Sequence, residues 1–263
     1  MLNFSANLSM LFTEAPFMRR FALAAQAGFK GVEYVSPYGE ARDTIAAELK
    51  KHSLSQALFN LPAGDWEAGE RGIACHPGRV AEFQRGITTA IDYAGALGCK
   101  KVNCLAGLLP EGVSRAEARA TLIENLRYAA PRLKEAGVLL IAEPINYYDI
   151  PGFFLNTSAQ ALEIFDAASV GNLKLQYDIY HMQRMEGEIA NTLTRLLPRI
   201  GHIQIADTPG RHEPGTGELN YPFLFQHLES IGYEGWVGCE YRPAATTQGG
   251  LGWMKAMGRG LLP

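Results

Sequence analysis

Three acidic residues in this 263-residue chain stand where their carboxylates could act together. Glu143, Asp178 and Glu240 each close a short run with the composition of a β-strand. Carboxylates gathered at one edge of a sheet repel one another or take up protons unless a counter-ion lies between them. A shared divalent cation is such a counter-ion, so the three acids predict a metal site.

A fourth oxygen donor, Gln204, is predicted on the run His202–Ala206. Because strand side chains alternate between two faces, Gln204 shares a face with His202, and Ile203 and Ile205 take the other face. The isoleucines then face the surrounding helices, and the polar pair faces the interior of the sheet. Oxygen ligands without thiolates or several imidazoles favour Mg²⁺ or Mn²⁺ over zinc. We therefore expect one divalent cation, Mg²⁺ or Mn²⁺, bound by Glu143, Asp178, Gln204 and Glu240.

Each acid also has a simpler, local explanation. An acid at the end of a strand can cap the helix that follows it, which would suit Asp178 best. It can also pair with a nearby arginine, and Arg242 is two residues from Glu240. Both alternatives stay open when the residues are considered alone.

Candidate substrate-binding residues flank these acids. His181, three residues after Asp178, can reach a substrate oxygen. Arg211, in the loop after the seventh predicted strand, can bind a carboxylate through paired hydrogen bonds, and Arg71 in a glycine-rich loop is a similar candidate. Trp66 lies in the same loop as Arg71, where it could cover a small substrate.

The elements that would bring these residues together form a regular repeat. Eight apolar or β-branched runs recur along the chain, and segments with helical apolar spacing lie between them, the clearest running from Val80 to Leu97. Strands alternating with helices imply a parallel sheet, and eight such units predict closure into an α/β fold, the (β/α)₈ TIM barrel. The predicted strands are Asn3–Leu8, Gly31–Val35, Gln56–Leu61, Lys101–Leu105, Val138–Glu143, Leu173–Asp178, His202–Ala206 and Trp236–Glu240.

An open, doubly wound sheet is the alternative fold. Its usual signature, a GxGxxG turn after the first strand, is missing here. No linker or low-complexity tract divides the chain, so we expect a single TIM-barrel domain over residues 1–263. In a barrel the βα loops all emerge at the C-terminal ends of the strands. The long connections Pro62–Arg79 and Thr208–Pro222 are therefore expected to bind or cover a substrate.

The composition of the chain excludes several classes of protein. A net charge of −3 and an isoelectric point near 6.1 give no general attraction for nucleic acid. No apolar run approaches the ~18 residues that span a bilayer. The four cysteines form no CxxC pair, which fits a reducing cytoplasm. We expect a cytoplasmic protein with a small-molecule substrate and no nucleic-acid or membrane partner; a homo-oligomer is compatible with the sequence.

Six segments carry a family resemblance: Phe59–Gly72, Glu143–Asn146, Tyr177–His181, Gly201–Asp207, Pro209–Asn220 and Glu240–Pro243. Together they resemble the hydroxypyruvate isomerase family, within the xylose isomerase-like barrels that also include sugar epimerases and endonuclease IV. The resemblance spans nearly the whole chain. It implies that Glu143 and Glu240, besides binding the metal, serve as the acid and base. Related epimerases have a histidine where Gln204 stands, and that departure fits the hydroxypyruvate isomerase branch.

The resemblance implies an isomerase of a small hydroxy-carbonyl acid. The substrate would be hydroxypyruvate, giving tartronate semialdehyde, or the four-carbon 2-oxo-tetronate, giving 3-oxo-tetronate. One carboxylate would remove a carbon-bound proton and the other would return one, through an enediolate. A ketose 3-epimerase would employ the same two carboxylates, and a non-enzymatic sugar-binding module would bind without turnover. An endonuclease IV-like phosphodiesterase needs a histidine-rich cluster of three zinc ions, which six histidines cannot build.

Overall fold

Eight parallel strands close into a barrel in the computed structural model of the chain, which describes residues 1–256. Each strand pairs in parallel with the next one in the sequence, and the last pairs with the first. The predicted TIM barrel is therefore confirmed. The strands are β1 (Asn3–Asn7), β2 (Gly31–Tyr34), β3 (Ser55–Asn60), β4 (Lys101–Cys104), β5 (Leu139–Ala142), β6 (Leu173–Asp178), β7 (Ile200–Ile205) and β8 (Trp236–Cys239).

All eight predicted strands are present, and their ends differ from the predicted ones by at most two residues. The small differences matter at the acids. Asp178 is the last residue of β6, whereas Glu143 and Glu240 lie one residue past the ends of β5 and β8. All three therefore stand at the C-terminal edge of the barrel, where TIM-barrel sites are built.

Helices surround the barrel, and the fourth of them begins with a capping pattern that the sequence contains. The capping pattern before the fourth helix is confirmed, because Ser114 Oγ accepts the backbone N–H of Glu117 at 3.1 Å. No helix formed by residues 1–256 is long and apolar enough to cross a membrane. The helices are α1 (Phe17–Gln26), α2 (Arg42–Lys51), α3 (Val80–Leu97), α4 (Arg115–Glu135), α5 (Ser158–Ala168), α6 (Ile179–Met185), α7 (Ile189–Leu196), α8 (Tyr221–Ser230), α9 (Thr247–Gly250) and α10 (Gly252–Ala256).

The two faces of the strands bury different chemistry. Apolar side chains such as Ile203 and Ile205 are fully buried on the helix-facing side, as the alternation predicts. The interior of the barrel instead holds polar side chains, among them Glu33, Gln176 and Gln204, which hydrogen-bond across it. Barrel interiors are normally filled by branched apolar residues. The polar interior of this barrel departs from that rule, which makes it a candidate location for a functional site.

The C-terminal part of the long connection between β3 and α3 packs tightly against the loop that follows β4. Gly72 has a φ of 110°, and a Cβ there would lie 2.4 Å from the carbonyl oxygen of Leu105. A Cβ on Gly107 would come equally close to the carbonyl of Gly72. The backbone N–H of Cys75 donates to the carbonyl of Ala106 at 2.8 Å. The second half of this connection is thus fixed to the loop after β4, and its first half carries side chains into the cavity described below.

Candidate active site

Four buried side chains meet at the end of the barrel where the strands finish. Glu143, Asp178 and Glu240 come from β5, β6 and β8, and His181 lies in the first turn of α6. One ligand atom from each lies within 4.8 Å of the others, and no residue of the four is more than 9% exposed. We call these four residues the rim cluster. The predicted convergence of the three strand-end acids is confirmed, and His181 joins them.

Every acid of the rim cluster has at least one oxygen bound to a protein donor, and Glu240 has both of its oxygens bound. Two other oxygens, Glu143 Oε1 and Asp178 Oδ2, are buried with no hydrogen-bond partner among the described residues. Buried acceptors are normally satisfied, so this pair of oxygens indicates a ligand-binding position. The protein donors are Asn103 Nδ2 to Glu143 Oε2 at 3.1 Å, the Tyr180 amide to Asp178 Oδ1 at 2.8 Å, and Asn7 Nδ2 to Glu240 Oε1 at 3.3 Å.

Burial raises the pKa of all three acids in the rim cluster. The pKa of Glu240 rises to about 8 because burial disfavours its carboxylate more than the charge of Arg211 favours it. Burial also raises the pKa of Asp178 to about 6. Burial, and then the charges of Glu240 and Asp178, raise the pKa of Glu143 well above its usual range. Acids that hold their protons this firmly would release them to a shared cation, so the cluster could hold a metal ion.

The tautomer of His181 is fixed by its neighbour Asn146. The Asn146 side-chain nitrogen lies 2.6 Å from His181 Nδ1, and the backbone N–H of Asn146 also points at Nδ1, at 3.4 Å. Asn146 Oδ1 accepts the backbone N–H of Asp149 at 2.9 Å, which keeps the amide nitrogen turned toward the ring. Because both neighbours of Nδ1 are donors, Nδ1 must be an acceptor.

His181 is therefore a neutral ring that carries its proton on Nε2. Burial, and then the charges of Arg211 and Arg184, lower its pKa well below 6.5. The donor Arg211 Nη2 also lies near Nε2, at 3.3 Å, but this contact is longer than the 2.6 Å contact at Nδ1, so the single ring proton is assigned to Nε2. Nε2 lies 3.5 Å from Asp178 Oδ2 and 3.9 Å from Glu143 Oε1. A protonated Nε2 has no lone pair for a metal, but it can donate a hydrogen bond to a substrate oxygen.

Arg211 brings positive charge to the rim cluster. Its Nη2 lies 3.3 Å from Glu240 Oε2 and 4.0 Å from Asp178 Oδ2, and its Nη1 lies 3.4 Å from Asp149 Oδ2. Its backbone is left-handed, with a φ of 56°, which is unusual for a residue with a side chain. Burial alone would lower the pKa of Arg211, but the charges of Glu240 and Asp178 outweigh it and raise the pKa. The guanidinium is thus held charged beside the acids.

A cavity of about 510 Å³ opens above the rim cluster. Glu143, His181 and Glu240 line its inner end, and Trp66 and Arg71 contribute from the β3–α3 connection. The Arg71 guanidinium stacks on the Trp66 ring, 4.1 Å from its centroid. A larger cavity of about 980 Å³ adjoins it and also contains Trp66, but no rim-cluster residue lines it. The smaller cavity is therefore the candidate substrate site.

Four arginines line this cavity, and they differ in how their charge is matched. Arg184 and Arg211 both pair with Asp149. Arg71 donates to two backbone carbonyls, and within residues 1–256 neither Arg71 nor Arg242 forms an ion pair with an acid. The outer part of the cavity therefore holds two positive charges that are available to an anion.

A second buried polar group lies deeper in the barrel, around Glu33 of β2. We call Ser5, Glu33, His202 and Gln204 the inner network. Glu33 is fully buried and accepts hydrogen bonds from Ser5 Oγ at 2.7 Å, Gln204 Nε2 at 2.8 Å and His202 Nε2 at 2.9 Å. Gln204 points into the barrel, as predicted, and lines a small cavity with Glu143 and Glu240.

The local alternatives for the acids are now resolved in part. Asp178 does cap α6, but it uses only Oδ1 and leaves Oδ2 free. Glu240 pairs with Arg211 and not with its sequence neighbour Arg242. The candidate metal site therefore keeps two free oxygens, Asp178 Oδ2 and Glu143 Oε1.

Sequence reasoning missed several residues of the site, among them Asn146, Asp149 and Glu33. Glu33 could have been found by the alternation argument that was applied to Gln204, because its neighbours Val32 and Tyr34 are buried apolar residues of a short strand. Asn146 belongs to one of the segments that carry the family resemblance, but nothing in its spacing predicts a contact with the histidine of another strand.

The fold and the rim cluster define a class of protein. Residues 21–257 match the family described as Xylose isomerase-like TIM barrel, and the chain belongs to this family. It is 58% identical over 254 residues to a hydroxypyruvate isomerase from Escherichia coli (strain K12), covering 97% of this chain and 98% of the relative. It is 49% identical over 255 residues to a 2-oxo-tetronate isomerase from Cupriavidus necator, covering 97% and 98%. At this identity over nearly the full length of both relatives, the chain is an isomerase.

Solved structures agree on the fold. A crystal structure described as an AP endonuclease, family 2, from Brucella melitensis has a TM-score of 0.95 and 46% identity, covering 97% of this chain and 99% of that chain. A 3-keto-D-glucoside 4-epimerase from Escherichia coli has a TM-score of 0.78 at 21% identity, covering 97% and 99%. At that lower identity the likeness supports the fold alone.

Proposed function

We propose that the chain is a metal-dependent isomerase of a small hydroxy-carbonyl acid. It would convert hydroxypyruvate to tartronate semialdehyde, or the four-carbon 2-oxo-tetronate to 3-oxo-tetronate. The observation that carries the proposal is the rim cluster, where Glu143 and Glu240 approach each other and two buried carboxylate oxygens have no partner in the described structure. The names of the curated relatives support both substrates, and the cavity of about 510 Å³ has room for either acid.

One divalent cation, Mg²⁺ or Mn²⁺, is proposed to bind Glu143, Asp178, Gln204 and Glu240. The free oxygens Glu143 Oε1 and Asp178 Oδ2 fit this ion, because hard cations prefer carboxylate oxygens. Gln204 lines the same small cavity as Glu143 and Glu240. When bound, the cation would polarise the substrate carbonyl and stabilise the negative charge that develops on the substrate oxygens. His181 is left out of this ligand set because its Nε2 carries a proton.

Glu143 and Glu240 are proposed to move a proton between two carbons. In hydroxypyruvate, one glutamate removes a proton from the hydroxyl-bearing C3, and the electrons form an enediolate across C2 and C3. The other glutamate returns a proton to C2, while the hydroxyl proton on the C3 oxygen passes to the C2 oxygen. The product has an aldehyde at C3 and a hydroxyl at C2, so no atom or electron is gained or lost.

His181 and Arg211 are proposed to hold the oxygens of the reacting carbons. The His181 Nε2 proton is directed into the rim cluster, and Arg211 Nη2 lies 3.3 Å from Glu240 Oε2. Both are donors, and donors are what an oxygen with developing negative charge requires. They would align the substrate over the two glutamates and stabilise the enediolate.

Arg71 and Arg242 are proposed to bind the carboxylate of the substrate. They line the outer part of the cavity without an acidic partner, while the acids occupy the inner end. A hydroxy-carbonyl acid that turns its carboxylate outward would meet these two guanidinium groups, which form strong hydrogen bonds with carboxylates. A neutral ketose would leave both charges unmatched. The arginines therefore favour an acid substrate over that of a ketose 3-epimerase.

The phosphodiesterase alternative has less support. Residues 1–256 contain one group of at least three His, Cys, Asp or Glu side chains that could hold a metal, and this group is the rim cluster with its single histidine. Endonuclease IV-like enzymes, as the family resemblance implies, use a histidine-rich cluster of three zinc ions. The oxygen-rich composition of the rim cluster instead supports one hard cation.

A cytoplasmic location is also proposed. All four cysteines are free and buried, and burial raises the pKa of each of them. Free thiols without a disulfide are typical of a reducing compartment. Fractionation of cells that express the untagged protein is the direct check.

The direct test follows the transferred proton. Metal-loaded protein is incubated in deuterated water with hydroxypyruvate and, separately, with 2-oxo-tetronate, and product and label are followed by NMR. We expect one of the acids to isomerise, with deuterium entering at the carbon that receives the proton. Glu143→Gln and Glu240→Gln should lose turnover. Glu213→Gln is the matched control, because Glu213 is a buried glutamate outside the rim cluster.

The outcomes separate the parts of the proposal. If neither acid isomerises with Mg²⁺ or Mn²⁺ present, the proposed substrate class is wrong. If turnover survives in both single variants, the isomerase stands but the two-carboxylate mechanism fails. If Glu213→Gln loses turnover as well, the losses in Glu143→Gln and Glu240→Gln cannot be attributed to the rim cluster.

A further inference from the structure

Glu33 is a buried carboxylate that the proposed reaction does not use. It lies in the middle of β2, is fully buried and does not line the 510 Å³ cavity where the substrate would bind. Burying a charge is costly unless donors surround it, so a carboxylate in this position needs a reason beyond packing. Its contacts supply one.

The orientation of Gln204 depends on Glu33. The Gln204 amide nitrogen lies 2.8 Å from Glu33 Oε1, and a carboxylate can only accept. Turning the amide over would bring two acceptor oxygens together at that distance. With its nitrogen held by Glu33, the Gln204 carbonyl oxygen points to the other side, where Gln176 Nε2 donates to it. The carbonyl oxygen is the atom that could bind a cation.

Asn7 carries a second connection from Glu33 to the rim cluster. Asn7 Nδ2 lies 3.4 Å from Glu33 Oε1 and 3.3 Å from Glu240 Oε1. Asn7 Oδ1 accepts the backbone N–H of Ser9 at 3.0 Å, which keeps the Asn7 nitrogen turned toward the two carboxylates. Glu33 therefore contacts, directly or through one residue, two of the four side chains proposed to bind the cation.

The barrel wall makes room for the Glu33 carboxylate at Gly238. A Cβ on Gly238 would lie 2.3 Å from Glu33 Oε1 and 2.5 Å from Glu33 Oε2. Gly238 pairs in register with Ser5 of β1 and with Gln204 of β7, so the carboxylate occupies the space that a side chain of β8 would fill. The position of the carboxylate is thus fixed from three strands.

We propose that Glu33 is a positioning residue, whose carboxylate fixes the Gln204 amide and Asn7 so that the Gln204 carbonyl oxygen and Glu240 face the divalent cation. This role rests on the proposed metal site. Outer carboxylates that orient metal ligands in this way typically change metal affinity by about 10–100-fold when they are removed. Glu33 would act on the ion and not on the substrate.

The test measures binding of Mn²⁺ alone to metal-stripped protein, by titration calorimetry and by electron paramagnetic resonance of the free ion. Glu33→Gln should weaken Mn²⁺ binding at least tenfold, because the new amide no longer selects one orientation of Gln204. Saturating Mn²⁺ should restore much of kcat with little change in KM for the acid. Glu213→Gln, the same substitution at another buried glutamate, should stay within twofold of the parent affinity.

A charge swap separates positioning from packing. In Glu33→Gln combined with Gln204→Glu, the hydrogen bond between the two positions can form with the carboxylate on β7, and both oxygens of a carboxylate can bind a cation. We expect Mn²⁺ affinity to return to within about threefold of the parent protein. A role in packing alone would leave the double variant as weak as Glu33→Gln, or weaker.

Several results would overturn the proposal. Unchanged Mn²⁺ affinity in Glu33→Gln would remove the positioning role and leave the metal site standing. Absence of Mn²⁺ binding by the parent protein would overturn the metal site and this role together. If Glu33→Gln does not fold, Glu33→Asp keeps the charge but withdraws the carboxylate by one methylene. That variant should bind Mn²⁺ at least fivefold more weakly, and unchanged binding would overturn the proposal.

Discussion

The rim cluster and the inner network both contain a glutamate and a histidine, yet they differ in electrostatics. Each buries carboxylate beside histidine inside the barrel. Around Glu33, burial would raise the pKa, but the charge and hydrogen bond of His202 outweigh it and lower the pKa. In the rim cluster, burial dominates and raises the pKa of Glu143 and Glu240.

The count of donors explains the difference between Glu33 and the acids Glu143 and Asp178. Glu33 has hydrogen bonds from Ser5, His202 and Gln204, whereas Glu143 and Asp178 each keep an oxygen without a partner in the described residues. A satisfied buried carboxylate holds the structure in place, and an unsatisfied one is ready for a ligand. Burial and residue type alone do not distinguish these two roles.

The largest expected effect comes from neutralising an acid of the rim cluster. Glu143→Gln or Glu240→Gln should lower kcat by about 10³-fold or more, since general acid–base groups typically contribute 10²–10⁴. NMR of the product at pH 7.5 measures the rate, and circular dichroism confirms the fold. An equal loss of kcat in Glu213→Gln would contradict a special role of Glu143 and Glu240 among the buried glutamates.

Charged groups without a partner also occur at the outer end of the cavity, where Arg71 and Arg242 have no acidic partner within residues 1–256. Arg242→Met and Arg71→Met should each raise KM for the acid by about 10–100-fold, because each removes a charge-assisted hydrogen bond worth about 1.5–3 kcal/mol. Turnover of dihydroxyacetone, which has no carboxylate, should stay unchanged. Arg119→Met, on the exposed face of α4, is the control. Equal losses with the neutral compound would refute a carboxylate site.

A smaller effect tests the tautomer of His181. Asn146→Asp replaces the donor at Nδ1 with an acceptor, so the ring should move its proton to Nδ1 and lose the donor at Nε2. We expect kcat to fall about tenfold. The ¹⁵N chemical shifts of labelled histidine report the tautomer directly. An unchanged Nε2–H signal in the variant would show that Asn146 does not fix the ring.

The smallest effect is on stability and pH. In the metal-free protein the pKa of Glu240 is about 8, well above its value in an unfolded chain. Between these two values the folded state binds more protons, so the free energy of unfolding should fall as pH rises from about 5 to about 8. Urea titrations in EDTA should record this loss as a lower free energy of unfolding at pH 8 than at pH 5. Glu240→Gln should flatten this fall, and an equally steep fall would exclude Glu240 as its source.

The sequence predicted the parts of the molecule that repeat. Strand and helix periods recur eight times, so the barrel followed, and closure of the barrel brought together acids that lie far apart in the chain. The inward face of Gln204 followed from alternation on β7 alone. These predictions held because they depend on periodicity and on strand ends, which local composition encodes.

Loop geometry could not be predicted in the same way. The side chain of Arg211 turns inward because its backbone takes a left-handed φ, and Asn146 meets His181 through a turn held by Asp149. These contacts join residues from separate loops, where no period links sequence to direction. The ion pairs of Arg184 and Arg211 with Asp149 likewise follow only from the three-dimensional structure. They leave Arg71 and Arg242 as the cavity arginines that have no acidic partner within residues 1–256.

The fastening of the β3–α3 connection at Gly72 has a practical consequence. Residues 63–71 are followed by a backbone that packs against the loop after β4. We therefore expect that these residues can be exchanged or lengthened without moving β3 or the acids. Trp66 and Arg71, which this segment carries, line the candidate substrate cavity. Libraries confined to this segment should therefore retune which chain length is accepted while the proton-transfer step, built on other strands, is left alone.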